Sequence, residues 1–340
     1  MAIYINIISR QSLKSNRSKK TSNIINEFVV FLYYNYHTKN KSGDLTMNNL
    51  KGIYTALLTP IDSNGKINEK ELIKLVKHNL NLGANGFYVC GSTAEALMMS
   101  VEERKHIMTI VKEAAKDAKL IAHVGSVSER EAHKLAEYAH ELSYDLISSV
   151  APFYYKFTSA EIHDYYVRLA EYSDMKMLVY HIPAFSGVGM GMDEISAFLS
   201  DDRFAGIKYT SNDFFTMERC KALYPDKLIF NGYDEMLLSG LAMGADGGIG
   251  STYNFMSDKF VAIRRLFLDG KIEEARKIQN EANRIISILC KLGVMQSEKE
   301  IMNQLGFSFG KCMPPFLEMS DEGKDIIAKE IMPYITKCTV

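Results

Sequence analysis

The chain has 340 residues, of which 47% are hydrophobic, so it can bury the core of one large domain or two ordinary ones. Its formal charge is −1, but residues 1–46 hold seven basic and two acidic residues, which leaves 33 basic and 39 acidic residues in the remainder. Because this body is mildly acidic, nothing in its charge favours nucleic acid as a partner, and a small-molecule substrate fits better.

The cysteine and histidine content indicates a protein without disulfides or metal. The cysteines are five in number, widely separated and without a C-x-x-C pair: Cys90, Cys220, Cys290, Cys312 and Cys338. This usage favours a reducing cytoplasm. The eight histidines show no H-E-x-x-H spacing, and we expect His123 and His181, which lie in strand-like runs, to be hydrogen-bonded core imidazoles. We predict no metal and no cofactor.

Residues 1–46 differ from the rest of the chain. An apolar run at 28–34 follows several basic residues and superficially resembles a secretion signal. No small-residue cleavage site follows it, and the run is far shorter than the roughly 20 residues that span a bilayer. Met47 stands directly before the first predicted strand and resembles a natural start. We therefore expect 1–46 to be a disordered tail or wrongly included upstream sequence, and we expect no membrane association.

From residue 53 onward, short β-branched or aromatic runs alternate with amphipathic stretches, which predicts repeated βα units and a parallel sheet. Eight strands are predicted, at residues 53–59, 86–90, 120–125, 146–152, 176–182, 204–210, 228–232 and 247–252. Residues 100–103 have the pattern of a capping box, and the apolar positions of 72–80 share one helical face.

Eight βα units over about 220 residues fit the length of a (β/α)₈ TIM barrel better than that of a doubly wound sheet. The glycine-rich segment 244–250 precedes a strand instead of following one, so it does not predict a nucleotide site. Further helical patterns follow, notably at 272–292. We expect residues 47–270 to form the barrel and residues 271–340 to form C-terminal helices packed on its outside.

In a TIM barrel, reactive groups gather at the C-terminal ends of the strands. Four of the predicted strands carry polar residues there. Residues 91–95 follow the second strand, Tyr180 lies in the fifth, Lys208 and Thr210 lie in the sixth, and residues 232–235 follow the seventh. These residues are the candidates for a site.

Lys208 lies within an apolar strand, where an unpaired ammonium is costly. Burial would lower its pKa from about 10.4 toward neutrality, and only the neutral amine can attack a ketone to form an imine. The alternative is a structural lysine, either paired with a carboxylate or extended toward solvent. Strand position alone leaves both interpretations open.

Tyr180 alone would be a packed aromatic residue, but its position on the strand before Lys208 would bring both side chains to the same mouth. Ser92 and Thr93, in the turn after the second strand, offer backbone N–H donors and two hydroxyls for a carboxylate. That turn is a weak signal, because an ordinary helix-capping turn has the same composition.

Taken together, these segments resemble the pyruvate-dependent class I aldolases of the dihydrodipicolinate synthase and N-acetylneuraminate lyase family. The resemblance covers about residues 50–335. The matching segments, in order, are residues 56–60, 91–95, 152–155, 179–183, 207–211, 231–235 and 244–254.

The resemblance implies roles for individual residues. Lys208 would form the imine and Tyr180 would transfer protons. Tyr154 would reach the active site of a neighbouring subunit, in an enzyme that is usually a homotetramer. The remaining implied substrate-binding residues are Ser92 and Thr93 for the pyruvate carboxylate, and Thr210, Gly232, Asp234, Glu235 and Ser251 for the sugar-acid tail.

Two residues depart from the family pattern. Ala94 stands where glycine is common, which raises the question whether that position needs a positive φ. His181 stands where asparagine usually follows the tyrosine. Residues 183–187 also lack the arginine that dihydrodipicolinate synthases typically use for a second carboxylate, and this absence disfavours the synthase.

The implied reaction is the reversible cleavage of N-acetylneuraminate to N-acetylmannosamine and pyruvate through a Schiff base, as in sialic acid catabolism. Because a free tyrosine phenolate is scarce at neutral pH, proton transfer would need a relay through Thr93, Tyr154 or the substrate carboxylate. Two alternatives remain open: another 2-keto-acid aldolase or dehydratase, for example one acting on 2-keto-3-deoxygluconate, and a non-catalytic sialic-acid sensor on the same barrel.

Overall fold

The computed structural model describes residues 47–336, and the predictions for residues 1–46 and for Cys338 lie outside this range. Eight strands occur in the order predicted. They are β1 (Ile53–Ala56), β2 (Gly86–Val89), β3 (Lys119–His123), β4 (Leu146–Val150), β5 (Met177–His181), β6 (Phe204–Tyr209), β7 (Leu228–Asn231) and β8 (Gly247–Gly250). The strands end one to three residues earlier than predicted, because the last residues of each apolar run already form the loops at the mouth.

The strands form a closed barrel in which each pairs in parallel with its sequence neighbours, and β8 pairs with β1. The predicted (β/α)₈ TIM barrel is therefore confirmed. Every described strand position is buried except Lys119 at the start of β3. Both faces of such a sheet are covered, one by the barrel interior and one by helices, and this explains the continuous apolar runs in the sequence.

In the described range, each strand is followed by a helix of six or more residues, and a further four-residue helix, Pro183–Ser186, lies directly after β5. The longer helices are α1 (Glu69–Asn81), α2 (Val101–Ala115), α3 (Glu129–Glu141), α4 (Ser159–Ser173), α5 (Met192–Leu199), α6 (Phe214–Leu223), α7 (Leu237–Ala242) and α8 (Tyr253–Leu268). The predicted capping box is present at the start of α2, where Ser100 and Glu103 satisfy each other's backbone N–H groups. A second capping box, between Thr158 and Glu161, starts α4.

Within the described range, three α-helices follow the barrel: α9 (Ile272–Leu292), α10 (Val294–Gln304) and α11 (Asp321–Ile326). A π-helical turn (Ile327–Ile331) and a 3₁₀ turn (Met332–Tyr334) continue from α11. These helices belong to the same compact unit as the barrel. We propose to keep the division between barrel and C-terminal helices at residues 270 and 271, because Gly270 with φ 74° separates α8 from α9. None of the helices in the described range is long and apolar enough to cross a membrane.

The barrel interior is filled by aromatic side chains. The Tyr54 ring lies edge-on to Phe230, with ring centroids 5.3 Å apart. Nearer the mouth, the Tyr88 hydroxyl donates to Ser148 Oγ at 3.0 Å, and Ser148 donates to the Leu178 carbonyl at 2.7 Å. These hydrogen bonds link β2, β4 and β5 below the polar residues of the mouth.

Candidate active site

Lys208 and Tyr180 lie side by side on neighbouring strands. The register of β5 and β6 places Tyr180 directly opposite Lys208. The Lys208 ammonium nitrogen lies 4.2 Å from the centroid of the Tyr180 ring and 4.3 Å from that of Tyr88. The sequence-based expectation that both side chains reach the same part of the barrel is therefore met by the geometry.

Lys208 is only 5% exposed and has no carboxylate within 4.0 Å among the residues of the described range. The salt-bridged and solvent-extended alternatives both fail for this lysine. Burial lowers its pKa to about 7, and the more distant Asp234 carboxylate opposes this shift. A substantial fraction of the amine is therefore neutral at physiological pH and able to act as a nucleophile.

Tyr180 is 4% exposed, and burial raises its pKa well above the usual value for tyrosine. The hydroxyls of Ser92 and Thr210 oppose this shift, so both face the phenol oxygen. Thr210 Oγ1 is buried and has no hydrogen-bond partner among the described residues. The hydroxyls near Tyr180 thus include those of Ser92 and Thr210, which the predicted relay through Thr93 and Tyr154 did not contain.

The two histidines of the strands behave differently. His123 Nδ1 lies 3.0 Å from the Cys90 carbonyl, and His123 Nε2 accepts the Val150 N–H at 3.1 Å. It is the hydrogen-bonded core imidazole that was predicted. His181 is equally buried and stacks on Tyr209, but its Nδ1 has no hydrogen-bond partner in the described range. The prediction of satisfied hydrogen bonds is therefore wrong for His181.

Ser92 and Thr93 open a short 3₁₀ turn, Ser92–Ala94, directly after β2. Ala94 and Glu95 donate back to the carbonyls of Gly91 and Ser92, so the amides of Ser92 and Thr93 have no partner within the turn. Ala94 is not the strained position, because Glu95 has the positive φ, at 60°. Alanine thus fits where the family commonly has glycine.

Glu95 ties this turn to the C-terminal helices. Its carboxylate lies 2.5 Å from the Lys299 ammonium of α10, and both side chains are almost completely buried. The same carboxylate accepts the Met313 backbone N–H at 2.5 Å. We call Ser92, Thr93, Tyr180 and Lys208 the lysine side of the mouth.

Asp234 lies in a 3₁₀ turn after β7, the strand next to that of Lys208, and is 7% exposed. The Thr252 N–H and hydroxyl donate to its Oδ2 at 2.8 and 2.6 Å. Burial nevertheless raises the Asp234 pKa to about 6, and the hydrogen bonds from Thr252 and the charge of Lys208 oppose this shift. A Cβ added at Gly250 would lie 1.9 Å from Asp234 Oδ1, so the carboxylate needs a glycine there.

Gly232 is also required by close packing. A Cβ at this position would lie 1.9 Å from Thr210 Oγ1, so a side chain at Gly232 would close the space between β6 and β7. Glu235 and Ser251 are each partly exposed and belong to the loops that follow β7 and β8. We call Gly232, Asp234, Glu235 and Ser251 the acidic side of the mouth.

Helix α9 holds the backbone of the acidic side, a contribution that the sequence analysis missed. Gln279 Nε2 donates to the Asp234 carbonyl at 3.1 Å, and Gln279 Oε1 accepts the Leu238 N–H at 3.1 Å. Asn283 Nδ2 donates to the Glu235 carbonyl at 3.1 Å. The one available signal was a pair of amides four residues apart on an otherwise amphipathic helix.

Glu298 of α10 was missed as well. It is fully buried, and neither carboxyl oxygen makes a hydrogen bond of ordinary geometry within the described range. Burial raises its pKa to about 8; the nearby Ser251 hydroxyl lowers the pKa, and the Asp234 carboxylate adds to the rise. Besides Glu95, two carboxyl groups are therefore buried near the acidic side, and of these two only Asp234 was predicted.

Tyr154 stands apart from the other predicted residues. It lies in the loop after β4, is 85% exposed, has φ 81° and contacts the neighbouring Tyr155 ring at 5.1 Å. It therefore adds nothing to the barrel interior of its own chain. The described residues also contain no group of three or more His, Cys, Asp or Glu side chains arranged to hold a metal.

Known proteins are similar to this chain over most of its length. A model of the dihydrodipicolinate synthetase family matches residues 49–333. An N-acetylneuraminate lyase of Rhizobium meliloti is 40% identical over 287 residues, which are 84% of this chain and 96% of that protein. The similarity therefore includes the barrel, the mouth and helices α9 and α10.

Solved structures agree with this result. The N-acetylneuraminate lyase of Fusobacterium nucleatum complexed with pyruvate has a TM-score of 0.79 and 38% identity, covering 83% of this chain and 96% of that one. The CdNal protein of Clostridium difficile in complex with mannosamine has a TM-score of 0.79 and 40% identity, covering 81% and 96%.

Proposed function

The chain belongs to the dihydrodipicolinate synthetase family, and on this basis we propose that it is a class I aldolase that cleaves N-acetylneuraminate to N-acetylmannosamine and pyruvate. The observation that carries the proposal is the buried Lys208 amine, with its pKa near 7, in register with Tyr180 and facing an acidic side. Relatives about 40% identical over most of the chain are N-acetylneuraminate lyases.

The first step is imine formation at Lys208. The neutral amine attacks C2 of the open-chain sugar acid, and loss of water gives a protonated imine. Ser92 and Thr93 bind the neighbouring carboxylate with their hydroxyls and free backbone amides. The cationic imine then lies about where the ammonium nitrogen is now, on the faces of the Tyr88 and Tyr180 rings.

The second step breaks the C3–C4 bond. The C4 hydroxyl loses its proton, N-acetylmannosamine leaves as the aldehyde, and the electron pair of the broken bond forms an enamine at C2 and C3. Protonation at C3 and hydrolysis of the imine then release pyruvate and the free amine. Tyr180 carries protons in both directions.

Burial holds Tyr180 as a neutral phenol in the free enzyme, so it cannot act as a base before substrate binds. Imine formation changes this, because it fixes a positive charge beside the ring and favours the phenolate. The substrate carboxylate and the Ser92 and Thr210 hydroxyls complete the relay to C4.

The acidic side binds the polyhydroxylated tail of the substrate. The Asp234 and Glu235 carboxylates accept hydrogen bonds from hydroxyl groups, and Ser251 adds a hydroxyl that can donate or accept. Gly232 keeps the space beside Thr210 open. A simple 2-keto acid would leave these groups unused, and residues 183–187 lack an arginine for a second carboxylate.

We also propose a homotetramer that functions in the cytoplasm in sialic acid catabolism, with Tyr154 reaching the site of a neighbouring subunit. The exposure and the strained φ of Tyr154 support such a contact, because an unpacked aromatic side chain on a strained loop is otherwise costly. The scattered cysteines, without a C-x-x-C pair, support a reducing compartment. A monomer in light scattering at the assay concentration would contradict the proposed role of Tyr154.

An activity assay tests the proposal. We expect the enzyme to release N-acetylmannosamine and pyruvate from N-acetylneuraminate in equal amounts, and to be at least about tenfold less efficient with 2-keto-3-deoxygluconate. Cleavage of the second substrate alone would identify a different aldolase of the same family. Tight binding of sialic acid without cleavage would indicate a sensor.

A further inference from the structure

Asn254, in the first turn of α8, is a fully buried residue whose side-chain amide joins the loops after β8 and β1. Its Nδ2 donates to the Ser251 carbonyl and to the Ala56 carbonyl, at 2.7 Å in each case. Its Oδ1 accepts the Leu58 N–H at 3.0 Å. Both donors and the acceptor of the amide therefore bind backbone groups at the mouth, and the proposed mechanism gives this residue no role.

A network of buried side chains holds Asn254 from behind. Asn79 of α1 donates from Nδ2 to the Asn254 carbonyl at 3.2 Å. Asn79 Oδ1 accepts the hydroxyls of Thr55 and Ser257, at 3.0 and 3.2 Å. All four side chains are completely buried, and a fully hydrogen-bonded polar network of this kind makes a rigid support.

Asparagine is the side chain that these partners require. An ionised aspartate has the same shape but no donor, so it would face the Ser251 and Ala56 carbonyls with oxygen atoms. An apolar side chain would leave the two carbonyls and the Leu58 N–H buried without partners, which is costly. The chemical identity of Asn254 therefore matters, and its volume alone would not replace it.

Ser251 is the residue of the mouth that this arrangement affects most. It directly follows β8, in which Ile249 pairs with Tyr54 of β1. The Tyr54 ring packs on Phe230 inside the barrel, so Ile249 faces the interior as well. Because side chains alternate along a strand, Ser251 continues the inward-facing series at the end of the barrel where the proposed site lies.

The peptide group between Ser251 and Thr252 is held at both of its polar atoms. Its carbonyl oxygen accepts Asn254 Nδ2 at 2.7 Å and the Asn254 backbone N–H at 3.1 Å. Its N–H, that of Thr252, donates to Asp234 Oδ2 at 2.8 Å. A planar peptide group held on both sides cannot rotate, so the Ser251 hydroxyl is restricted to the few staggered rotamers of its side chain.

We propose that Asn254 is a positioning residue for substrate specificity: its buried amide fixes the peptide group after Ser251 and thereby directs the Ser251 hydroxyl to the polyhydroxylated tail of the sugar acid. Asn254 does not touch the substrate, because it is completely buried. Pyruvate has no such tail, so its imine with Lys208 forms without help from Ser251 or Asn254. This inference rests on the proposed function and extends it.

A double-mutant cycle with Asn254→Asp and Ser251→Ala tests the proposal. Each single variant should raise KM for N-acetylneuraminate about fivefold, as for the loss of one hydrogen bond, and should change kcat less than about twofold. The double variant should be no worse than the single variants, because Asn254 acts through the hydroxyl that Ser251→Ala removes. Imine formation with pyruvate should stay at the wild-type level in all three.

A loss of stability in the Asn254 variants does not obscure this result. Trapping with pyruvate and borohydride counts the intact sites, and KM does not depend on how many there are. Asn254→Ser is a second, smaller variant that leaves room for water beside the two carbonyls, and its KM should rise in the same direction. If neither variant yields intact sites, Asn254 serves folding and the specificity role is wrong.

Asn303→Asp is the matched control. Asn303 of α10 holds backbone in the same way, since its Nδ2 donates to the Gly310 carbonyl at 3.1 Å and its Oδ1 accepts the Phe309 N–H at 2.8 Å. This variant should keep the wild-type KM.

Three results would overturn the proposal: an unchanged KM in Asn254→Asp, an unchanged KM in Ser251→Ala, or an equal rise of KM from Asn254→Asp with and without the Ser251 hydroxyl. Failure of the proposed function is distinct, because the wild type itself would then release no N-acetylmannosamine.

Discussion

The two sides of the mouth are built in different ways. The lysine side depends on strand register: Tyr180 and Lys208 are paired positions on β5 and β6, and their environment follows from burial inside the barrel. The acidic side consists of turns after β7 and β8, whose backbone is held by α9 and whose buried neighbour Glu298 comes from α10. The proposed imine-forming pair therefore lies in the strands, whereas the proposed binding residues of both sides lie in loops that the C-terminal helices contact.

This contrast predicts that reaction and recognition can be separated by mutation. Changes on the lysine side should remove the reaction. Changes on the acidic side, or in the helices behind it, should alter KM and leave the imine intact.

The largest effect is expected at Lys208. Both Lys208→Met and Lys208→Arg should lower kcat by at least about 10³-fold, because neither side chain offers a neutral amine at physiological pH. Arginine keeps the positive charge. An equal loss of kcat in both variants would therefore show that the missing nucleophilic amine, and not the missing charge, causes the loss. Lys208→Met should also melt at a higher temperature than the wild type, because it removes a buried amine without a carboxylate partner. Turnover within tenfold of the wild type in either variant would contradict imine catalysis at this position.

The buried pair of Glu95 and Lys299 should dominate stability. Lys299→Met leaves the Glu95 carboxylate buried and unpaired, which should reduce the free energy of unfolding by about 3–5 kcal/mol. The double variant Glu95→Leu and Lys299→Met should recover most of that loss, though not all, since the Met313 N–H loses its acceptor. Urea unfolding of the two single variants and the double variant measures the coupling. If the losses of unfolding free energy in the two single variants simply add up in the double variant, the ion pair does not hold the turn after β2.

Asp234→Asn tests whether the two sides are electrostatically coupled. We expect KM for N-acetylneuraminate to rise about tenfold, as for loss of a charged hydrogen bond. The Asp234 carboxylate raises the Lys208 pKa, so its removal should move the pH midpoint of imine formation with pyruvate to a lower pH than in the wild type. Rapid-mixing measurements between pH 5 and 9 would reveal this. An unchanged midpoint would mean that the two sides act independently.

The smallest effect is expected behind the acidic side. Gln279→Leu removes one hydrogen bond to the turn after β7 and one to the start of α7. It should raise KM about threefold, with kcat and imine formation with pyruvate unchanged. Gln304→Leu, on α10, is a suitable control because Gln304 bonds to Glu300 and to the Lys324 carbonyl. A loss of imine formation in Gln279→Leu would show that α9 also supports the lysine side.

Local patterns predicted the barrel and made Lys208 and Tyr180 candidates, but the roles of these two residues and of the Ser92–Thr93 turn came from the family resemblance. Strand and helix periods define the eight units, and a lysine or tyrosine inside an apolar strand stands out from its neighbours. The roles of Asp234 and Ser251 followed only from the family resemblance, because loop residues have no periodicity that fixes their direction.

Glu298, Gln279 and Asn283 could not be predicted for a different physical reason. Their partners lie more than 40 residues away in the chain, and charged or amide residues on amphipathic helices usually face solvent. Residues 296–300 read as a polar surface run, yet three consecutive side chains among them are buried. The burial of Ser297, Glu298 and Lys299 becomes visible only in the folded structure.

The most direct test of the account traps the covalent intermediate. The wild-type enzyme is incubated with N-acetylneuraminate, reduced with borohydride and mapped by peptide mass spectrometry. We predict a single adduct on Lys208 whose added mass corresponds to reduced pyruvate or to the reduced intact sugar acid, and no adduct in Lys208→Arg. Cleavage of N-acetylneuraminate without any adduct on Lys208, or with an adduct on another lysine, would contradict the central claim.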